Sequence, residues 1–147
     1  MRFDTYLWPS RLKGVEREFL ATQFATQDTL RRVRLDPYVL VDGLDTSDLA
    51  RSAENLEGTY TVRMFSEFET GLKAYWRAAR KKKPPSRAIV LIQSVAAYCG
   101  IPSDWEADAH TVRVYRNFLV HQRDDDIEPI PLALSRGYLT RFMSFLR

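Results

Sequence analysis

Apolar side chains recur along this chain with the period of α-helices. Near the start they fall at spacings of three and four, with a further one in phase, at Leu12, Val15, Phe19 and Leu30. Spacings of this kind place side chains on one face of a helix. The pattern therefore predicts a first helix over residues 10–31, with Pro9-Ser10 at its start.

The next stretch, residues 33–46, loses the helical period and contains the turn signal Asp42-Gly43. Either a short strand or an extended connection fits this pattern. Because one strand cannot form a sheet alone, we expect an ordered loop packed on the helices.

A long second helix is predicted over residues 47–83, with Thr46 or Ser47 as its cap and a weak point near Gly58. Apolar side chains line one face of its second half, at Phe65, Phe68, Leu72, Tyr75, Trp76 and Ala79. A face of this width predicts burial against other helices.

One acidic residue, Glu69, lies at the edge of that apolar face. On a helical wheel it falls within ~40° of Phe65 and Trp76. An ionised carboxylate in such a place needs a partner or water, because its unpaired burial costs several kcal/mol. Glu69 is therefore either a paired functional group or a boundary side chain that extends into solvent.

Prolines and glycines divide the rest of the chain into three more helices. Pro84 and Pro85 end the second helix, and Pro85 also suits the first turn of a third. This third helix, over 86–99, is apolar nearly all round, so we expect it to be buried on most sides. Gly100 and Pro102 end it.

The fourth helix is predicted over 104–122, because Ser103 and Glu106 have the spacing of a capping box. A last helix follows over 132–146. The fold class is therefore all-α, a compact bundle of about five helices in one domain, 1–147. Its N-terminal helix and extended segment occupy 1–45, and its core bundle occupies 47–147.

Composition agrees with a globular protein, since 45% of the residues are hydrophobic and 28% are charged. No apolar run approaches the roughly 20 residues that span a bilayer, and no membrane partner is expected. The N-terminus lacks the apolar region of a signal peptide. A single cysteine, Cys99, excludes an internal disulfide, suits a reducing compartment and is expected to be a small buried hydrophobe. We expect a cytoplasmic protein.

The net charge of +3 is unevenly distributed. Six cations without an intervening acid, which we call the basic run, are Arg77, Arg80, Lys81, Lys82, Lys83 and Arg87. A second basic group is Arg31, Arg32 and Arg34, and an acidic patch is Asp124, Asp125, Asp126 and Glu128. The basic run suits a polyanionic partner or, alternatively, is a solvated helix end followed by a linker.

The fourth helix carries most of the candidate chemistry. With Val112 at zero, Arg116, Arg113, Asn117 and His121 fall at ~40°, ~100°, ~140° and ~180° around it. A histidine moves protons near neutral pH, and an arginine fork binds phosphate bidentately. On RNA, a histidine that assists attack by the 2′-hydroxyl yields a 2′,3′-cyclic phosphate. Spacing alone also allows a structural role, because a cationic imidazole is favoured near a helix C-terminus.

The segment Arg116-Asn117-Phe118-Leu119-Val120-His121 resembles the defining motif of the HEPN domain. That motif is an arginine, four to six further residues and a histidine, often with a polar residue after the arginine. The segment Phe65-Ser66-Glu67-Phe68-Glu69 is similar to the Phe-Glu helix of several prokaryotic HEPN groups. The resemblance covers residues 47–147.

The resemblance implies an endoribonuclease that needs no metal or other cofactor and acts as a homodimer with one composite cleft. By position, it implies that Arg116, His121 and Asn117 are catalytic. We expect Arg113 and Glu69 to support them and the basic run to hold the RNA backbone. A shared site suits the helix, since Arg116 and His121 lie ~140° apart around it.

Members of this family serve as toxins of toxin–antitoxin systems, in antiviral defence and in RNA processing, so an antitoxin or regulatory protein is a further implied partner. In one subgroup a tyrosine stands two residues after the motif histidine and is modified. Arg123 takes that position here, which does not support such regulation.

Two alternatives stay open. Some HEPN domains bind RNA or nucleotides without cutting, so a non-catalytic module that binds RNA or a protein is the second hypothesis. A helical adaptor without a nucleic-acid role is the third. His110 has no metal-ligand spacing and is expected at the surface. The chain has no glycine-rich phosphate loop and no serine-hydrolase elbow.

Overall fold

Two long helices form the frame of the protein, seen in a computed structural model that describes residues 3–121 and 126–147. Helix α1 (Leu7–Leu35) lies along α2 (Thr46–Arg80), and the contact between them is the most extensive in the fold. Three shorter helices complete the bundle: α3 (Ala88–Cys99), α4 (Ser103–His121) and α5 (Leu132–Met143). The described residues contain no strand, which confirms the predicted all-α bundle.

All five helices contribute to a single core. Phe68 of α2 is fully buried and meets Phe142 of α5 edge-on, with ring centroids 5.6 Å apart. Leu12 of α1, Leu91 of α3 and Val112 of α4 are also fully buried. Burial of this apolar surface is the main force that holds the helices together.

The connection between α1 and α2 differs from the prediction. Helix α1 continues to Leu35, and a 3₁₀ turn follows at Pro37–Val39, where the Asp36 carboxylate accepts a hydrogen bond from the Tyr38 amide. The expected packing of this segment on the helices is wrong, because most of it is exposed, including 95% of Tyr38. The exposed side chains of the segment include the apolar residues Leu35, Val39, Val41 and Leu44.

The cap of α2 is Asp45 rather than Thr46 or Ser47. Its carboxylate accepts hydrogen bonds from the amides of Ser47 and Asp48, and the Asp48 carboxylate accepts one from the Asp45 amide, which completes a capping box. The expected weak point at Gly58 is also wrong, since the helix runs through it. A Cβ at Gly58 would lie 3.1 Å from Leu119, so the glycine permits close approach of α4.

Helix α3 is buried on one side only, which corrects the expectation of burial on most sides. Leu91 and Val95 face the core, whereas Val90 and Tyr98 are 39% and 46% exposed. The main contacts of the helix are with α2 and α4, because it lies at the edge of the bundle. It begins at Ala88, so Pro85 stands before its first turn.

The ends of the last two helices shift by a few residues. Helix α4 begins at Ser103, one residue before the predicted start. The carbonyl of Pro102 accepts hydrogen bonds from the amides of Trp105 and Glu106, so Ser103 lies inside the helix and is not the cap that was predicted. Helix α5 ends at Met143, although Leu146 beyond it is still buried. The predicted end of α4 at residue 122, Arg123, and Asp124 and Asp125 of the acidic patch lie outside the described residues.

None of the helices within the described ranges combines the length and the apolar character needed to cross a membrane.

Candidate functional site

The polar side of α4 faces the middle of α2 and the start of α3 across a cleft of about 320 Å³. We call it the arginine cleft, and its lining residues are Glu69, Ser86, Arg87, Ala88, Ile89, Arg113, Arg116 and Asn117. The cleft therefore brings together four of the five residues predicted as catalytic or supporting.

The main contact across the cleft joins Glu69 to Arg116. The Nη2 atom of Arg116 lies 3.2 Å from Oε2 of Glu69, and the two residues are 47 positions apart in the chain. The other carboxylate oxygen accepts from Nζ of Lys73 at 2.5 Å. Glu69 is thus a paired carboxylate, which decides against the alternative of a side chain extended into solvent.

Three groups hold the Arg116 guanidinium in place. Besides Glu69, the side-chain oxygen of Asn117 accepts from Nη1 at 3.0 Å, and the ring centroid of Phe65 lies 4.8 Å from Cζ. The Nε atom is buried without a hydrogen-bond partner among the described residues. Such a fixed guanidinium loses little freedom when it binds a further group.

The cleft has an excess of positive charge. Arg87, Arg113 and Arg116 line it with one carboxylate, Glu69, which Lys73 already shares. Burial lowers the pKa of Arg113, and the neighbouring charge of Arg116 lowers it further. Arginine stays protonated in proteins, so this direction reflects the cost of burying one cation and, in addition, its repulsion by another. An anion in the cleft relieves that repulsion.

The beginning of α3 adds to the same field. Residues from Ser86 to Ile89 line the cleft, and the N-cap residue Arg87 makes no side-chain capping bond. The N-terminus of a helix carries a partial positive charge and unsatisfied amide donors. The helix therefore strengthens the preference of the arginine cluster for an anion.

A polar chain that the sequence analysis missed runs along α4 behind the cleft. Nε of Arg113 donates to Nδ1 of His110 at 3.2 Å, and Nε2 of His110 lies 3.5 Å from a carboxylate oxygen of Glu106. The His110 side chain is 21% exposed, so its expected place at the surface is wrong. The sequence does hold a sign of this chain, because Glu106, His110 and Arg113 are spaced by four and then three residues and so lie side by side on a helix.

The hydrogen bond from Arg113 requires an unprotonated Nδ1 on His110. Burial lowers its pKa, the charge of Arg113 lowers it further, and the carboxylate of Glu106 opposes both. Because Nδ1 accepts the hydrogen bond from Arg113, the ring proton is assigned to Nε2. His110 thus fixes the guanidinium of Arg113 at the edge of the arginine cleft.

His121 stands apart from the cleft. It is exposed at the last residue of α4 and does not line the cavity that holds Arg113, Arg116 and Asn117. The ~140° between Arg116 and His121 on the wheel explains this separation. A single copy of the described chain therefore brings the predicted arginine and asparagine together, but not the predicted histidine.

The basic run reaches the cleft only at its end. Arg77, Arg80 and Lys81 to Lys83 are exposed at the end of α2 and just beyond it, and Arg87 lines the cavity. The second basic group is partly neutralised, since Arg31 and Arg32 pair with Asp28 at 3.3 Å and 3.0 Å.

The remaining candidates offer no second reactive site. Cys99 donates from Sγ to the Tyr75 hydroxyl at 3.1 Å, and burial raises the pKa of its thiol, which favours the unreactive protonated form. Its place in the core margin fits the expected small hydrophobe. No group of three metal-binding side chains occurs within residues 3–121 and 126–147.

Comparison of the chain with protein-family models, with curated proteins and with solved structures gives no match. The function of the arginine cleft is therefore inferred from its own chemistry.

Proposed function

We propose that this protein is an endoribonuclease of the HEPN type that binds an RNA phosphate in the arginine cleft and cleaves without a metal. The observation that carries the proposal is the junction of Arg116 with Glu69, Asn117 and Arg113 in a cleft of excess positive charge. The motif of the family resemblance supplies Arg116 and Asn117 of that junction, and its Phe-Glu helix supplies Glu69.

The phosphate binds in the cleft, next to the guanidinium groups of Arg116 and Arg113. Two of its oxygens accept the donors of Arg116 and Arg113, and a charge-assisted pair of this kind is roughly twice as strong as a neutral hydrogen bond. Arg116 is already oriented by Asn117 and Phe65, so the phosphate does not have to order it. The same guanidinium offsets the charge that grows on phosphorus-bound oxygen during the reaction.

Cleavage then needs a base at the 2′-hydroxyl. His121 takes the proton of that hydroxyl, the 2′-oxygen bonds to phosphorus, and the bond from phosphorus to the 5′-oxygen breaks. The leaving 5′-oxygen takes a proton from water, and the products are a 2′,3′-cyclic phosphate and a 5′-hydroxyl. Base catalysis of this kind contributes about 10²–10⁴-fold.

In the proposed homodimer, the second copy brings a histidine to the cleft. His121 is exposed at the end of α4, outside the cleft of its own chain. In a two-fold dimer with the two α4 helices facing each other, His121 of one copy approaches a phosphate held by Arg116 of the other. A role as a toxin or defence effector, with an antitoxin or regulatory protein as partner, is proposed on the family resemblance alone.

The separation of His121 from the cleft also favours a second candidate, a non-catalytic module of the same family that binds RNA. Such a module uses the arginine cleft and the basic run for affinity and has no need of the histidine. For such a module, we expect the affinity for RNA to depend less steeply on salt concentration when Lys81, Lys82 and Lys83 are neutralised.

The test measures cleavage of single-stranded RNA in excess EDTA by the purified protein and three variants. His121→Ala is expected to lose at least about 10²-fold in cleavage rate with RNA binding retained. Arg116→Ala is expected to lose binding. The matched control is Arg141→Ala, because Arg141 also pairs with a carboxylate, Asp108, and lies over an aromatic ring, Trp105, but outside the cleft.

A mixture of the two inactive variants tests the shared site. In a dimer of one His121→Ala copy and one Arg116→Ala copy, one of the two composite sites is intact, so an equal mixture should recover about a quarter of the wild-type activity. Cleavage that survives His121→Ala refutes the assigned base. Binding without cleavage in wild-type dimers supports the second candidate, and absence of RNA binding refutes both.

A further inference from the structure

An aromatic and cationic surface lies where the end of α2 meets α3. The guanidinium carbon of Arg80 lies 4.9 Å from the ring centroid of Tyr98 and 5.5 Å from that of Trp76. The two rings are themselves 6.3 Å apart at an angle of 69°. Arg80 is thus stacked against two aromatic side chains from different helices.

This surface is open to solvent. Tyr98 is 46% exposed, Arg80 is exposed and Trp76 is half-buried. Tyr98 also contacts the core, since its ring centroid lies 6.5 Å from that of the buried Tyr75, but nearly half of its surface remains open. Exposed aromatic faces beside cations are the surfaces on which unpaired nucleic-acid bases stack.

The cations around it are not neutralised. Arg77, Arg80 and Lys81 to Lys83 make no ion pair with any residue that the structure describes. By contrast, Arg31 and Arg32 of the second basic group pair with Asp28. The aromatic surface therefore lies within a basic group whose charge is available to phosphates.

A short segment of chain connects the same surface to the arginine cleft. The chain leaves α2 at Lys81, which adopts a left-handed conformation with φ of 50°, and reaches the cleft lining at Ser86 and Arg87. The six residues from Lys81 to Ser86 span at most about 21 Å, so the cleft lining begins no farther than this from the end of α2. A short single strand covers such a distance.

We propose that Tyr98, with Arg80 and Trp76, is a stacking platform for an unpaired base of single-stranded RNA whose backbone runs along the basic run into the arginine cleft. The proposal rests on the proposed function, since it names the form of RNA that the cleft receives. A base pair in a duplex does not present its face to a side chain, so the platform selects single strands.

The test measures the affinity of the full-length protein for a short fluorescent oligoadenylate with 2′-O-methyl groups, which the proposed chemistry cannot cleave. Tyr98→Leu is expected to weaken binding about 5- to 100-fold, whereas Tyr98→Phe keeps it within about twofold. The two changes differ in the aromatic ring, and thermal unfolding by circular dichroism reports whether each variant is folded.

Two controls isolate stacking. Tyr38→Leu removes a tyrosine that is 95% exposed beside the second basic group, and it is expected to leave affinity unchanged. An abasic oligonucleotide with the same number of phosphates is expected to bind wild type and Tyr98→Leu equally.

The salt dependence of binding separates stacking from charge. Tyr98→Leu keeps the slope of log affinity against log salt, whereas Lys82→Gln lowers the magnitude of that slope by about 0.7 if it loses one phosphate contact.

The outcomes separate this proposal from the proposed function. Equal binding of oligoadenylate by folded Tyr98→Leu and wild type overturns the platform and leaves the ribonuclease proposal standing. Loss of binding in Tyr98→Leu, together with cleavage of ordinary RNA that survives His121→Ala, supports the platform and refutes the assigned base. If Tyr98→Leu weakens the binding of an oligodeoxyadenylate as much as that of the oligoadenylate, the result supports stacking of bases from single-stranded DNA as well as RNA.

Discussion

Glu69 of α2 and Arg116 of α4 form an ion pair across the arginine cleft, with Oε2 and Nη2 3.2 Å apart. The side chains are 16% and 22% exposed, so the pair is shielded from water but not sealed from it. It ties the helix with the Phe-Glu segment to the helix with the arginine and histidine motif. The carboxylate also competes with any anion for the same guanidinium.

The first prediction follows from that competition. Glu69→Gln removes the negative charge while it keeps the shape, so we expect RNA affinity to rise by about three- to tenfold as Arg116 is released for phosphate. We expect the free energy of unfolding to fall by roughly 1 kcal/mol, because a partly exposed pair contributes little more. Equilibrium binding and urea denaturation measure the two effects.

Glu67→Gln is the matched control for this change. Glu67 lies two residues away on α2 and pairs with Arg11 at 3.5 Å, outside the cleft. It should leave RNA affinity within about twofold, since no cleft arginine loses a partner. A fall in affinity with Glu69→Gln would mean that the carboxylate positions Arg116 more than it competes for it.

The second prediction concerns the aromatic ring under Arg116. Phe65 is fully buried and its centroid is 4.8 Å from the guanidinium carbon, so Phe65→Leu removes a cation–π contact as well as core packing. We expect RNA affinity to fall about two- to tenfold as Arg116 loses its fixed orientation. The free energy of unfolding should fall by about 1–2 kcal/mol.

Phe68→Leu provides the comparison. Phe68 is equally buried on the same helix and packs on Phe65 and Phe142, but makes no cation–π contact with Arg113 or Arg116. We expect a similar loss of stability, measured by denaturation, with unchanged RNA affinity. Parallel losses of affinity in both variants would trace the effect to general loosening of α2.

The sequence predicts the helices of this fold better than the partners of its polar groups. Helical periodicity depends on neighbours three and four residues away, and the pattern around Leu12 and Phe19 is enough to detect α1. The pairing of Glu69 with Arg116 depends instead on how α2 and α4 pack, over 47 residues of separation. A wheel can show that Glu69 needs a partner but cannot select it.

The same limit explains the two histidines. His121 lies in the family-like motif, yet its neighbours on the wheel do not show whether it faces a cleft. His110 belongs to no motif, and its contacts with Arg113 and Glu106 on α4 appear only in the folded structure. Likewise, the apolar composition of α3 does not show that one of its sides is left at the edge of the bundle. Local patterns give the faces of a helix, and packing decides what each face meets.

The third prediction uses the pH dependence of His110. Burial and Arg113 lower the pKa of this ring in the folded protein, so the unfolded chain takes up a proton more readily. Stability is then unaffected by His110 well above its ordinary pKa of about 6.5 and falls as the pH drops below that value. His110→Gln removes the titrating group and should flatten the fall of unfolding free energy between about pH 7 and pH 5.

Glu106→Gln gives the opposite change. The Glu106 carboxylate raises the pKa of His110 against the effects of burial and Arg113. Its removal should therefore make the loss of stability on acidification steeper, as measured by urea denaturation across the same pH range. A wild-type slope in both variants would show that His110 is already charged or exposed in solution.

The last prediction contrasts two helical glycines. At Gly14 of α1, an added Cβ meets no atom within 4 Å, so Gly14→Ala gains helix propensity without a clash. At Gly71 of α2, an added Cβ would lie 2.6 Å from Cε of Met143 and 2.9 Å from Cδ2 of Trp8. The end of a methionine side chain moves easily, but the Trp8 ring is held in the core. Gly71 therefore lies where side chains of α1 and the end of α5 approach α2 closely.

We expect Gly14→Ala to raise the free energy of unfolding by about 0.5–1 kcal/mol. Gly71→Ala should lower it by about 1–2 kcal/mol, because overpacking outweighs the same gain in propensity. Urea denaturation measures both, and the unfolded chains gain the same methyl group, so the difference between the variants isolates the packing at Gly71. Equal stabilisation by both changes would mean that Trp8 does not lie against α2 at this position.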